Sequence, residues 1–151
     1  MITPECTNTY QLLLLEHRSL QLLSYIIFSS SNSVPVPYNL LGLLIIGLGV
    51  YLVLQSVLLL RSYNTTLEPG GNPSSLVTKY PYNHSRNPVY LGDLLIALGS
   101  ATALASVSAF IAPIIFFLVV NTIVIPFEEN RLQKNFGIEY QRYRGSVRRW
   151  L

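Results

Sequence analysis

Residues Leu40–Leu60 read LLGLLIIGLGVYLVLQSVLLL, and Gln55 and Ser56 are the strongly polar side chains among them. These 21 residues, between Asn39 and Arg61, make about 31 Å of α-helix, enough to cross the hydrocarbon core of a bilayer. Outward from this stretch the same character continues. No charged residue lies between Arg18 and Arg61, an interval of 42 residues, or between Asp93 and Glu128, an interval of 34. Half of the 151 residues are hydrophobic, 11% are charged and the mean hydropathy is +0.41. Soluble domains carry about 25% charged residues, so both disorder and an ordinary soluble domain are excluded. The chain reads as one integral membrane domain over residues 1–151.

Pro88–Phe127 is 40 residues long and nearly all apolar. As one helix it would be about twice the bilayer thickness, so a hairpin of two helices is expected. Small and hydroxyl residues at Ala105–Ser108 mark the bend. Pro113 is expected to kink the second arm. Ala97, Ala101 and Ala105 recur at four-residue spacing, which suits a close-packing seam or simply reflects how common alanine is in membrane helices. At the N-terminus, Glu16, His17 and Arg18 interrupt the apolar run from Tyr10 to Ser31. Either a span starts near Ser19 and runs to about Pro35, or residues 10–18 lie on the surface, because a charge at a helix centre costs about 2.5–3.5 kcal/mol. The charges follow the first apolar run, so a cleaved signal peptide is not expected.

Nine of the ten Lys and Arg residues are at Arg61 or later. They fall in segment 61–87 and in the tail 131–149, which the positive-inside rule places in the cytoplasm. The uncharged loop Ser29–Asn39 then falls outside. The expectation is an all-α, polytopic helix bundle of about four spans with both termini cytoplasmic. No barrel-type alternation is present. The lone cysteine, Cys6, has no disulfide partner and no metal-ligand company, so no metal site is expected.

Chemistry in so apolar a chain must come from two polar segments on one face. The first, Leu76–Gly92, reads LVTKYPYNHSRNPVYLG and follows the irregular stretch EPGGNPSS. Pro88 suits the first turn of a helix, with Asn87 as its cap. An interfacial aromatic belt would account for tyrosines in general, but not for this order of Arg86, Asn87, Pro88, Tyr90 and Gly92. The second, Pro126–Leu151, reads PFEENRLQKNFGIEYQRYRGSVRRWL. Leu132, Phe136, Tyr140 and Tyr143 recur at helical spacing, so a short amphipathic helix broken at Gly137 is expected. Arg142, Arg144, Arg148 and Arg149 follow; alone, they read as a tail held by anionic lipid.

Together the two segments resemble the isoprenylcysteine carboxyl methyltransferase family, whose relatives include the phospholipid N-methyltransferases. The family pattern is roughly G-P-Y-x-x-x-R-[HN]-P-x-Y-x-G, an apolar hairpin, then E-E-x-x-L-x-x-x-F-G-x-x-Y-x-x-Y and a basic ending. The match covers about residues 61–151. The resemblance implies a membrane enzyme using S-adenosylmethionine at the cytoplasmic face, with a lipid-like or prenylated acceptor arriving from the bilayer. It further implies cofactor contacts at Leu76, Val77, Tyr82, Asn87, Pro88, Tyr90 and Glu128, with Glu128, Glu129 and Arg86 as candidate catalytic residues. A compact version of this kind implies a prokaryotic plasma membrane.

The residue chemistry is compatible. A glutamate can bind the cofactor ammonium or ribose hydroxyls through charge-assisted hydrogen bonds, and tyrosine faces can attract the sulfonium or stack on adenine. Arg86 can pair with a carboxylate of the ligand or, structurally, with Glu128 or Glu129. Gly92 suits either a close cofactor approach or helix packing. An amine acceptor would need a base, for which Glu128 and Glu129 are the candidates; a carboxylate acceptor would not. His84 is left out of the site as a solvated loop residue. Two positions depart from the pattern. Tyr80 replaces the glycine before Pro81, and Val124 stands where the eukaryotic prenylcysteine enzymes carry an arginine associated with the acceptor. These departures favour the alternative of a non-catalytic membrane protein that keeps the fold and binds lipid or a partner. A transporter is disfavoured by the shortage of ionisable groups in the spans, and no nucleic-acid role is expected.

Overall fold

The computed structural model describes residues 36–65, 73–104 and 107–151. The expected span at about 19–35 and the alternative surface segment 10–18 lie outside those residues. Among the described residues there are four α-helices: α1 (Val36–Ser62), α2 (Pro88–Leu104), α3 (Ile111–Val119) and α4 (Ile125–Ser146). A 3-10 turn at Val107–Phe110 leads into α3, and a π-helical turn at Val120–Val124 joins α3 to α4. No strand occurs among the described residues.

Among the described residues two helical segments are long and apolar enough to cross a membrane, Asn39–Ser62 and Val107–Ser146. Helix α2 has 17 residues, about 25 Å, and alone falls short of a hydrocarbon core of about 30 Å. Two spans with a shorter apolar helix between them are therefore what the described residues contain. Leu40, Leu41, Leu44, Leu48, Leu54 and Leu58 are all more than half exposed on α1. So large a continuous apolar surface is unstable in water and satisfied by lipid.

Helices α1 and α2 run antiparallel at backbone contact. A Cβ on Gly42 would lie 2.7 Å from the Gly99 carbonyl oxygen, and one on Gly49 would lie 2.6 Å from that of Gly92. Gly42 and Gly49 are seven residues apart, as are Gly92 and Gly99, so each pair lies on one stripe of its helix. Ser56 continues the α1 stripe, is fully buried, and donates its hydroxyl to its own helix at Leu52 O, 2.6 Å. In lipid, where the hydrophobic effect cannot press helices together, such approach is what van der Waals packing requires. Ala97 and Ala101 are buried, but the seam with α1 runs through Gly92 and Gly99. Gly92 is accordingly a packing glycine.

Of the bend expected at Ala105–Ser108, residues 105–106 lie outside the described residues. Helix α2 ends at Leu104 and the chain resumes in the 3-10 turn at Val107. Pro113 does not kink the interior of a helix. It is the third residue of α3, in the first turn, where its missing N–H costs nothing. The distortion comes instead at the π turn before Pro126, where the Ile125 N–H reaches back to Val120 O. Continued in that register, residue 126 would bond to the Asn121 carbonyl, and proline has no N–H to give. The break expected at Gly137 is present: its φ of 50° and ψ of −118° lie outside helical space and favour glycine.

The loop between α1 and α2 is fastened at both ends. The Ser74 hydroxyl donates to Asn64 O at 3.0 Å and the Ser75 hydroxyl to Tyr63 O at 3.4 Å, which ties its start to the end of α1. Its far end meets the C-terminal residues. The Tyr143 hydroxyl donates to Tyr82 O at 2.6 Å, and the Arg86 N–H donates to Arg148 O at 3.0 Å.

The seam is testable by substitution. A Gly99→Val Cβ would meet Gly42 O at 2.7 Å and Ile46 N at 2.8 Å, whereas nothing lies within 4 Å of a Cβ at Gly47. Gly99→Val is expected to destabilise by about 1–3 kcal/mol or more through overpacking. Gly47→Ala is expected to be neutral or to stabilise by up to about 1 kcal/mol. Denaturant unfolding in detergent, followed by circular dichroism, measures both.

Candidate functional site

Glu128 and Glu129 are neighbours in the first turns of α4, so their side chains diverge by about 100° around the helix. They meet different surroundings. Glu128 accepts a hydrogen bond from the Tyr90 hydroxyl at 2.7 Å. Glu129 is buried and faces two guanidiniums. Arg86 Nη1 lies 3.1 Å from Glu129 Oε1. Arg149 holds both carboxylate oxygens, with Nη2 at 2.9 Å from Oε2 and Nε at 3.2 Å from Oε1. This two-pronged geometry is what the planar guanidinium allows and a lysine does not.

Of the residues expected in the first polar segment, Tyr90 and Arg86 reach the two glutamates directly. Val77 and Pro88 are buried, Leu76 and Tyr82 are partly buried, and Tyr90 is buried against Val120 and Ile125. Asn87 is buried; its carbonyl accepts the Leu91 N–H at 3.0 Å, so it does stand at the start of α2. Its side chain does another job, donating Nδ2 to Arg149 O at 3.0 Å. The Ser85 hydroxyl donates to the same carbonyl at 3.2 Å. Burial pushes the Tyr82 phenol well above its usual range, and Tyr143 and Glu128 add in the same direction, so Tyr82 stays a neutral hydroxyl. His84 is exposed and bonds through Nδ1 to Asn83 Oδ1 at 2.6 Å, outside the cluster.

Arg86 takes the structural pairing with Glu129, and its Nη1 also donates to the Tyr140 hydroxyl at 3.3 Å. Its Nε is buried and has no hydrogen-bond partner. Such a donor is costly to bury, so it marks a place where an acceptor is owed. Val124 packs against the apolar cluster of Tyr90, Val120 and Ile125.

Three members of the cluster were not legible as site residues. Arg149 read as one more cation of a lipid-facing tail, yet its Nη1 also reaches Asn121 Oδ1 at 3.3 Å and Asn121 O at 3.5 Å. That carbonyl is the one Pro126 cannot serve in the π register. Asn121 and Trp150 were passed over as well; Trp150 donates Nε1 to Asn121 Oδ1 at 3.1 Å and stacks at a tilt on Phe117 with ring centroids 5.2 Å apart. The usable signal was charge balance. Two adjacent glutamates at the end of an apolar span call for more than one cation, and Arg86 is the only arginine in the facing motif.

Among the described residues the fold is thus all-helical, with two helices long and apolar enough to cross a membrane, and its two polar motifs converge on a pair of carboxylates. The profile of the phospholipid methyltransferase family matches residues 38–139, two thirds of the chain. The chain belongs to this phospholipid methyltransferase family, in line with the resemblance read from its motifs. Membership makes it a methyltransferase-family protein associated with membranes. It is also 46% identical over 63 residues to an uncharacterized protein of Haemophilus influenzae, covering 42% of this chain and all of that protein. No solved structure matches it.

Removing the Glu129 carboxylate strands two guanidiniums. Glu129→Ala is expected to destabilise by about 3–5 kcal/mol, the range for breaking a buried pair from one side. Tyr143→Phe, which loses a single bond to a backbone carbonyl, is expected to cost about 1 kcal/mol. Unfolding midpoints of the two variants in the same detergent check the ordering.

Proposed function

We propose that the protein is a membrane-embedded methyltransferase that uses S-adenosylmethionine and methylates a lipid-like or apolar acceptor. The observation that carries this reading is the meeting of Tyr90 and Glu128 at 2.7 Å, two motif residues 38 positions apart. The donor set fits the cofactor. Glu128 suits the ammonium or the ribose hydroxyls, and the orphaned Arg86 Nε suits the carboxylate. The ring of Tyr82 and the apolar Leu76 and Val77 suit the adenine and the sulfonium. Asn87, Pro88 and Tyr90 complete the set. Bound there, S-adenosylmethionine supplies an electrophilic methyl group on a cationic sulfur.

The chain's own part is to bind, orient and dry the site. Direct displacement at carbon needs the acceptor in line, and positioning and desolvation supply much of the rate. Glu129 is occupied by Arg86 and Arg149, which leaves Glu128 as the carboxylate for chemistry. With an amine acceptor, Glu128 would take the proton; with a carboxylate acceptor, no base is needed. Val124 sits in the apolar cluster and offers no charge to an acceptor carboxylate. That favours a lipid amine or another neutral apolar acceptor over an isoprenylcysteine. The basic loop and tail support a multi-pass arrangement with the site on the cytoplasmic face, and the family resemblance favours a prokaryotic plasma membrane.

Calorimetric titration of S-adenosylmethionine into detergent-purified protein tests the reading. Saturable binding by wild type is expected, weakened roughly tenfold or more in Glu128→Ala, the loss of a charge-assisted contact. Absence of binding by folded wild type, with and without added lipid, would overturn it.

A further inference from the structure

We propose that Arg149 is a positioning residue that assembles the cofactor site from the C-terminal end of the chain. The proposal rests on the cofactor reading above. Arg149 lies in the basic ending of the second motif and is not among the residues proposed to touch the cofactor, yet it contacts three separate pieces of the fold. Its guanidinium grips both Glu129 oxygens on α4, at 2.9 and 3.2 Å. Its Nη1 faces Asn121 of the π turn, with Oδ1 at 3.3 Å. Its carbonyl takes the Ser85 hydroxyl at 3.2 Å and the Asn87 side-chain amide at 3.0 Å. The preceding carbonyl, of Arg148, accepts the Arg86 N–H at 3.0 Å.

The consequence follows from helix geometry. Glu129 and Glu128 are consecutive on one rigid helix, so clamping Glu129 fixes the roll of α4 and with it the direction of Glu128. The same arginine sets the loop 85–87 against that helix through its backbone. Glu128 then meets Tyr90, and Asn87 stands beside them. Arg86 alone cannot do this, because it belongs to the loop that must be placed. A lysine at 149 could supply charge but not the fork that spans both oxygens while reaching Asn121. Arg149 itself has its guanidinium committed to Glu129 and Asn121, so it acts through them.

Trp150, the single tryptophan of the chain, reports on the arrangement without any ligand. Its indole is held against Asn121 and Phe117, so its emission reads whether the C-terminal residues are docked. The experiment titrates S-adenosylhomocysteine into wild type, Arg149→Ala, Arg149→Lys and the exposed tail control Arg142→Ala, and records Trp150 emission of each. Arg149→Ala is expected to bind roughly tenfold more weakly or worse, as misplaced contacts do, with red-shifted emission. Millimolar guanidinium added to Arg149→Ala is expected to restore part of both signals, and Arg142→Ala to match wild type. If Arg149→Ala does not purify folded, Arg149→Lys carries the test, with measurable weakening expected.

Affinity of the folded alanine variant equal to wild type, even with a lowered unfolding temperature, would overturn the proposal and leave the cofactor reading standing. The same holds for Arg149→Lys binding as tightly as wild type when it carries the test. Absence of binding by folded wild type would overturn both, and the wild-type trace alone shows which case applies.

Discussion

The buried carboxylate of Glu129, shared by Arg86 and Arg149, is the interaction on which the functional half of the molecule depends. A carboxylate this buried is tolerated only when paired and hydrogen-bonded. Here the two partners come from opposite directions in sequence, 43 residues before it and 20 after it. Satisfying one charge therefore brings together the loop, the start of α4 and the C-terminal residues. Glu128, the next residue back on the same helix, is thereby left facing Tyr90.

The membrane half rests on a different constraint. Lipid does not press apolar helices together, so contact must come from shape. Antiparallel glycines at seven-residue spacing bring α1 and α2 to backbone distance and fix their register. That register sets the height of Pro88 and Tyr90, at the head of α2, relative to the loop tied to the end of α1. The packing role of Gly92 follows from the same seam. Its place within the polar motif is thus compatible with work on α1 and none on the cofactor.

Between these halves lies the π turn. It is the local answer to Pro126, which cannot supply an N–H to the helix ladder. The widened turn exposes Asn121 in side chain and carbonyl to Arg149, and the Asn121 side chain is also bonded by Trp150. Helical distortions of this kind recur at functional sites, and here the distortion docks the tail that completes the charge cluster.

Much was decided by sequence alone. The uninterrupted apolar run at Leu40–Leu60 and the second run after Asp93 determine helices in lipid, because backbone polar groups there have no other way to be satisfied. The end of α2 at Leu104, the break at Gly137 and the two polar motifs are local signals of small residues, glycine and proline, and they were legible for that reason. The spacing of Ala97, Ala101 and Ala105 left a packing seam and a simple abundance of alanine both open, since a single helix's pattern does not say which small residues a neighbour will touch. Pro113 was assigned a kink because its distance from the true start of α3 depends on where the bend closes. The tail cations were indistinguishable by composition. Arg142 and Arg144 remain exposed while Arg149 turns inward, and only the three-dimensional return of the chain past Asn121 selects among them. Charge type is a property of the residue; which charge becomes buried is a property of the fold, because the desolvation cost is offset only where a partner of fitting geometry already stands.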